Sequence, residues 1–189
     1  MVCWENAWTE LPISLQRGHT YYIADGDYPA YTFDDFEDGT INTSIWNYQG
    51  NVIESNGELR LNKDSSTNAR IRSNELWGVG YSARFRTKLS ATNTYWNHWY
   101  FKNETGNGPG LEFIMGLDGS SDSGNMRANY WDGSTNHPSS ILSGDWTNYN
   151  IFEIIRKPNN NAEWKLNNNV VHSYSGVTTD YMWFGFSDD

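Results

Sequence analysis

Leu111, Phe113, Met115 and Leu117 are apolar at every second position, and Glu112, Ile114, Gly116 and Asp118 alternate with them. Period-two alternation is the signature of a strand with one side on a core. Residues 109–119 therefore predict a central strand that carries Glu112 on its other side. The same alternation runs through residues 81–89, where Tyr81, Ala83, Phe85 and Thr87 point to a core and Ser82, Arg84, Arg86 and Lys88 point away from it. Further strands are predicted at 69–73, 95–102, 126–131, 149–156, 163–167, 170–174 and 182–186. Asn56-Gly57, between Val52-Ile53-Glu54 and Glu58-Leu59-Arg60-Leu61, is a hairpin signal. Turn clusters at 92–93, 106–109, 120–124, 134–140 and 158–161 separate the runs. No helical periodicity persists for three turns, and no segment repeats at a fixed period. Short strands at regular turn spacing predict an all-β sandwich of two antiparallel sheets rather than a propeller.

The first 31 residues read differently from residues 32–189. Trp8-Thr9-Glu10-Leu11-Pro12 predicts a short helical turn, and Gly18 to Ala24 a strand that ends at the turn Asp25-Gly26. This strand has no hairpin partner in its own segment. It can dock on its own sandwich or add to the sheet edge of a neighbouring copy, so residues 1–31 form an N-terminal annex with potential for self-assembly. Leu15 to Tyr28 also resembles the opening of right-handed parallel β-helix proteins of the polysaccharide-lyase kind, but no coils follow it.

Composition changes this picture in two respects. Aromatic residues make up 16% of the chain, although hydrophobic residues overall reach only 37%. Ten Trp and twelve Tyr exceed what one core needs, which points to aromatics on a binding face, although strands favour aromatic residues in any case. The net charge of −10 argues against binding nucleic acid by neutralising phosphates. The single cysteine, Cys3, excludes an intrachain disulfide and any zinc set, and leaves an intermolecular disulfide open. No run of about 18 apolar residues exists, so no membrane-spanning helix is expected. No signal peptide is visible, and Asn- and Gly-rich loops with few Lys give an extracellular or surface-associated character.

Several stretches resemble one family in the order that family has them. Leu76-Trp77-Gly78-Val79-Gly80-Tyr81 through Arg86 is similar to the Trp-x-Tyr-Gly-x-x-x-x-Arg strand of the laminarinase/lichenase β-glucanases, family 16 of the glycoside hydrolases. Pro109 to Gly119 resembles their Pro-Glu-Ile-Asp-Ile-Glu-Phe-x-Gly strand, and Asn129-Tyr130-Trp131-Asp132-Gly133 their Asn-Tyr-Tyr-x-x-Gly. Asp145 to Tyr149, followed by Trp164-Lys165-Leu166-Asn167, is similar to their His-x-Tyr and Trp-Tyr-Val-Asp-Gly pair. The resemblance covers residues 32–189 and implies a concanavalin-like jelly roll.

The resemblance breaks at the chemistry. That family carries a nucleophile, an orienting Asp and an acid/base Glu on alternate residues of one strand. Retaining hydrolysis needs two carboxylates about 5 Å apart, one attacking and one donating a proton. Glu112 takes the nucleophile position here, but Ile114 replaces the Asp and Gly116 the acid/base. Pairing Glu112 with Asp118 instead would stretch the spacing to six residues.

On the open side, alternation collects Arg84, Arg86, Trp96, His98, Tyr100, Glu112, Asp118, Arg127, Asn129 and Trp131. Aromatic faces and planar polar side chains are the mixture that sugar recognition uses. The resemblance assigns Arg84 to the family's sugar-contacting Arg, with Ser82 in place of its neighbouring Glu, and Asn129 and Trp131 to the ligand-side Asn and Tyr. The bland alternative is a network of Arg84, Arg127 and Glu112 on an exposed sheet. His98 has no Ser or Cys recognisably placed beside it, and His19, His137 and His172 lack metal-ligand spacing. A structural Ca²⁺ is the only cofactor expected, with Asp34, Asp35, Gly57 and Asp188 as candidate oxygen ligands, although turn-forming Asp residues look the same.

Three functions stay open. The first is a non-catalytic, lectin-like module for a poly- or oligosaccharide. The second is a structural subunit of an extracellular filament or phage tail fibre. The third is a divergent glycosidase that uses Glu112.

Overall fold

The computed structural model describes residues 2–4, 7–9, 34, 36, 38–63, 67–89, 97–103, 108–117 and 123–188. The chain divides into two compact units, Met1–Asn42 with Ile53–Arg60, and Thr43–Val52 with Leu61–Asp189. In the first, β1 (Val2–Trp4) and β2 (Ala7–Thr9) form an antiparallel hairpin that pairs Cys3 with Trp8. Trp8 and Thr9 are therefore strand and not the start of a helical turn. The predicted strand at 18–24, and most of the annex with it, lies outside the described residues.

Asn56 and Gly57 join β4 (Asn51–Ser55) to β5 (Glu58–Asn62) with φ of 54° and 71°. Two consecutive positive φ angles are what a two-residue hairpin turn needs, and Asn-Gly adopts them at low cost.

The second unit holds both large sheets. A seven-stranded antiparallel sheet runs β11-β10-β9-β8-β15-β6-β3, and a four-stranded one runs β14-β13-β12-β7. The strands of the larger sheet are β3 (Trp46–Gln49), β6 (Ala69–Ser73), β8 (Asn97–Lys102), β9 (Gly110–Met115), β10 (Met126–Trp131), β11 (Asn136–Pro138) and β15 (Trp183–Asp188). Those of the smaller are β7 (Ser82–Thr87), β12 (Asn150–Arg156), β13 (Asn161–Leu166) and β14 (Asn169–Ser175). The expected two-sheet antiparallel sandwich is the observed fold. The grouping of 81–88 with 95–102, 111–118 and 126–131 is not observed, because β7 pairs with β12 in the smaller sheet. Alternation fixes which side of a strand is buried, and both sheets of a sandwich satisfy it equally.

The core is an aromatic stack between the sheets. The ring of Phe152 lies 5.1 Å from that of Trp99 and 5.7 Å from that of Phe85, nearly parallel to both, and 4.9 Å edge-on from Phe113. Odd-numbered positions of β8 and β9 thus face the smaller sheet, as the period-two pattern predicts. Arg156, at the end of β12, is fully buried and donates to the carbonyls of Trp77, Thr178 and Asp180. Burial pushes its pKa down to about 10, with Asp180 and Tyr130 acting in the opposite direction, so it stays charged at neutral pH.

Candidate functional site

Even-numbered positions of β8 and β9 project from the opposite side of the larger sheet, the face expected from the sequence to be open; at its centre His98, Tyr100, Glu112 and Ile114 are instead buried. β9 lies between β10 and β8, and the register places Asn129 and Tyr100 on either side of Glu112 and Arg127 and His98 on either side of Ile114. Directly paired residues share a face, so four of the sequence-predicted residues, Asn129, Tyr100, Arg127 and His98, meet around Glu112. Trp131 ends β10 opposite Gly110 and is half-buried.

Glu112 is the hub of this face. It is only 5% exposed, and His98 is equally buried. His98 Nδ1 lies 2.7 Å from Glu112 Oε2, Asn129 Nδ2 donates to Oε1 at 3.0 Å, and Lys102 Nζ approaches Oε2 at 3.4 Å. An ionised carboxylate can only accept, so Nδ1 is the nitrogen of His98 that carries the proton in this contact. Burial alone would raise the carboxyl pKa. The charges of Lys102 and His98, with hydrogen bonds from His98 and Asn129, more than offset that and hold Glu112 well below the usual carboxylate range. The backbone is fixed as well: Trp164, fully buried on β13, donates its indole N–H to the carbonyl of Glu112 at 3.0 Å.

Chemically, this is an ionised, fully engaged anchor. A group held ionised cannot donate the proton that a leaving sugar oxygen needs. Ile114, the next residue of β9 on this face, is 1% exposed. Gly116 has φ of 70° and donates to the Asn125 carbonyl at 2.9 Å, just beyond the end of β9. No second carboxylate enters the hydrogen-bonded set around Glu112 among the described residues.

The other predicted residues fall as follows. Asn129 is fully buried and also donates to Asn136 Oδ1 at 2.9 Å, while its own Oδ1 is buried with no hydrogen-bond partner among the described residues. Tyr100 is 7% exposed, with Lys102 Nζ 4.9 Å from its ring centroid. Arg127 donates to the Ser139 carbonyl at 3.1 Å. Arg84 does not join this group. It lies on β7 in the other sheet and donates to Asn168 Oδ1 at 2.8 Å, because its strand pairs with β12 and not with β8. Trp96 and Asp118 lie outside the described residues.

Of the candidate calcium ligands, Asp34 accepts the Phe36 N–H at 3.0 Å, Gly57 forms the hairpin turn, and Asp188 accepts the Lys63 N–H at 3.2 Å. Asp35 lies outside the described residues, and among those described no three His, Cys, Asp or Glu side chains gather to hold a metal. The residue that sequence reasoning missed is Lys102. It lies two positions beyond Tyr100, so the same alternation puts it on the open face.

No protein-family model matches the chain, and no curated protein matches it. Solved structures do. An endo-acting O-glycanase of the human gut microbiota that initiates mucin breakdown is similar at a TM-score of 0.65 and 14% identity, over 82% of this chain and 83% of that one. A prokaryotic β-1,3-1,4-glucanase (lichenase) from a mouse hindgut metagenome is similar at 0.63 and 16%, over 82% and 83%. An endo-β-1,3-glucanase from Pyrococcus furiosus is similar at 0.61 and 12%, over 82% and 81%. The chain therefore has the concanavalin-like sandwich fold of the laminarinase/lichenase structures. No helix among the described residues is long and apolar enough to cross a membrane.

Proposed function

We propose that the protein is a non-catalytic, lectin-like β-sandwich that holds a poly- or oligosaccharide on the open face of its seven-stranded sheet, in an extracellular or cell-surface setting. One observation carries the reading. The carboxylate at the centre of that face is held by His98, Lys102 and Asn129, with apolar Ile114 and no second carboxylate beside it on the same face of its strand. Two-carboxylate hydrolysis needs a second acid about 5 Å away. Around that buried centre the face still has groups of a sugar site: half-buried Trp131 and Trp183 for stacking, and Arg127 and Lys102 for hydroxyls. The shared fold supports the carbohydrate class, since the similar structures include enzymes of glucans and of mucin breakdown.

The test has two arms. Incubation with lichenan and laminarin should release no more reducing sugar than a Glu112→Gln control. Affinity electrophoresis through gels that contain a soluble polysaccharide should retard the protein. Turnover that disappears in Glu112→Gln would overturn the non-catalytic reading and make Glu112 a catalytic group.

A further inference from the structure

The same face continues past β8 onto β15, β6 and β3. Register sets Lys102 opposite Trp183, Gly185 opposite Arg72 and Arg72 opposite Asn47, with Ser187, Arg70 and Gln49 in the next row. Paired residues share a face, so Lys102, Trp183, Arg72, Arg70, Asn47 and Gln49 all project on the side of Glu112. The guanidinium carbon of Arg72 lies 3.4 Å from the centroid of the Trp183 ring, a cation–aromatic contact. Gly185 leaves the floor bare beside it: a Cβ there would come within 2.4 Å of the Ile71 carbonyl oxygen and 3.0 Å of Arg72 Cα. Glu112, His98 and Tyr100 are closed to solvent, whereas Asn47, Gln49 and Arg70 are exposed and Arg72, Lys102 and Trp183 half-buried.

Charge is segregated on this half of the face. The chain carries −10 overall, yet these three rows, from β8 to β3, contain Lys and Arg and no Asp or Glu, and Glu112, the partner of Lys102, stands beyond them on β9. The outer face of the smaller sheet is different. There Glu153 stands opposite both Arg84 and Lys165, the mixed pattern of an ordinary solvated surface. Cations gathered on one face of an acidic protein, beside an aromatic ring and planar amides, match a ligand with negative charge and flat sugar faces.

We propose that the β15–β6–β3 half of the open face binds an acidic polysaccharide, one that bears sulfate or carboxylate groups. This rests on the carbohydrate reading above and narrows its ligand class. Arg70 and Arg72 take the anionic groups by their planar forks, while Lys102 stays paired with Glu112. Trp183 offers apolar area for the sugar rings, and Asn47 and Gln49 pair with hydroxyls.

Affinity electrophoresis with dextran, dextran sulfate, polygalacturonate and laminarin tests this. The first two share one backbone and differ only in sulfate; polygalacturonate carries carboxylates instead. At least one acidic polymer should bind roughly tenfold or more tighter than the neutral ones at low salt, and the preference should shrink as salt screens it. Which one binds separates sulfate from carboxylate. Arg72→Gln and Arg70→Gln should each weaken acidic-polymer binding several-fold with unchanged melting temperatures. Arg86→Gln, which removes a cation stacked on Tyr149 on the other sheet, should leave binding unchanged. Equal binding of neutral and acidic polymers, or acidic binding lost in Arg86→Gln and kept in Arg72→Gln, would overturn this inference and leave the carbohydrate reading standing. Binding of none of the polymers would overturn both.

Discussion

On the core side of β9, Phe113 is fully buried and packs edge-on against Phe152 of the opposite sheet. On its open side Glu112 is nearly as buried, at 5% exposure, and touches a histidine, a lysine and an asparagine. Adjacent residues of one strand are thus held by different physics. The core side is stabilised by area removed from water and by aromatic packing, which is non-directional and spread over many contacts. The open side is stabilised only while each polar group keeps its partner, because a buried charge that loses one retains its desolvation cost. The first side can tolerate repacking. The second cannot lose a member without leaving the others uncompensated.

That contrast can be broken from the core side first. Phe152 contacts Phe85, Trp99 and Phe113, so Phe152→Ala should cost about 3–5 kcal/mol in chemical denaturation. Phe152→Leu should recover a large part of it.

The open side should give a smaller loss with the opposite pattern of rescue. Glu112→Ala strands His98 and Asn129 and should cost roughly 2–3 kcal/mol. Glu112→Leu, of similar volume and apolar, should not recover it, because the stranded donors remain. Full recovery by leucine would mean that the site is held by packing alone.

Acid sharpens the same point. Glu112 has a depressed pKa when folded, so its share of the stability is present above the unfolded-state value of about 4.3 and is lost as pH falls toward the folded value. Thermal melts from neutral pH to about pH 3 should therefore show the gap between wild type and Glu112→Gln narrowing as the medium becomes acid. A constant gap would contradict the assignment.

The smallest effect on stability is expected at Trp183, half-buried on the open face. Trp183→Ala should shift stability by about 1 kcal/mol or less while reducing polysaccharide binding.

The core side was legible in the chain because burial of apolar residues leaves a period-two trace, and Ala83, Phe85, Leu111 and Phe113 all fall where that trace puts them. Asn56-Gly57 was legible because few dipeptides adopt two positive φ angles. The sheet to which β7 belongs was not, since the alternation of Arg84 and Phe85 is the same in either layer. The strand β11 was hidden within a turn-rich run. The contact of Arg72 with Trp183 joins residues far apart in sequence through strand order, which no local pattern encodes. The alternation marks the position of Glu112, but its burial and partners depend on three strands meeting.

The central claim is that the open face binds carbohydrate without cleaving it. Tryptophan-fluorescence titration with the retarding polysaccharide measures this most directly, run on wild type, Trp131→Ala and Tyr149→Ala, with the ligand's chain length checked afterwards. The expected result is saturable binding of about 4–8 kcal/mol, weakened at least several-fold in Trp131→Ala, unchanged in Tyr149→Ala on the other sheet, with the ligand recovered intact. Binding that survives Trp131→Ala and fails in Tyr149→Ala, or a ligand recovered shortened by wild type and not by Glu112→Gln, would contradict the account.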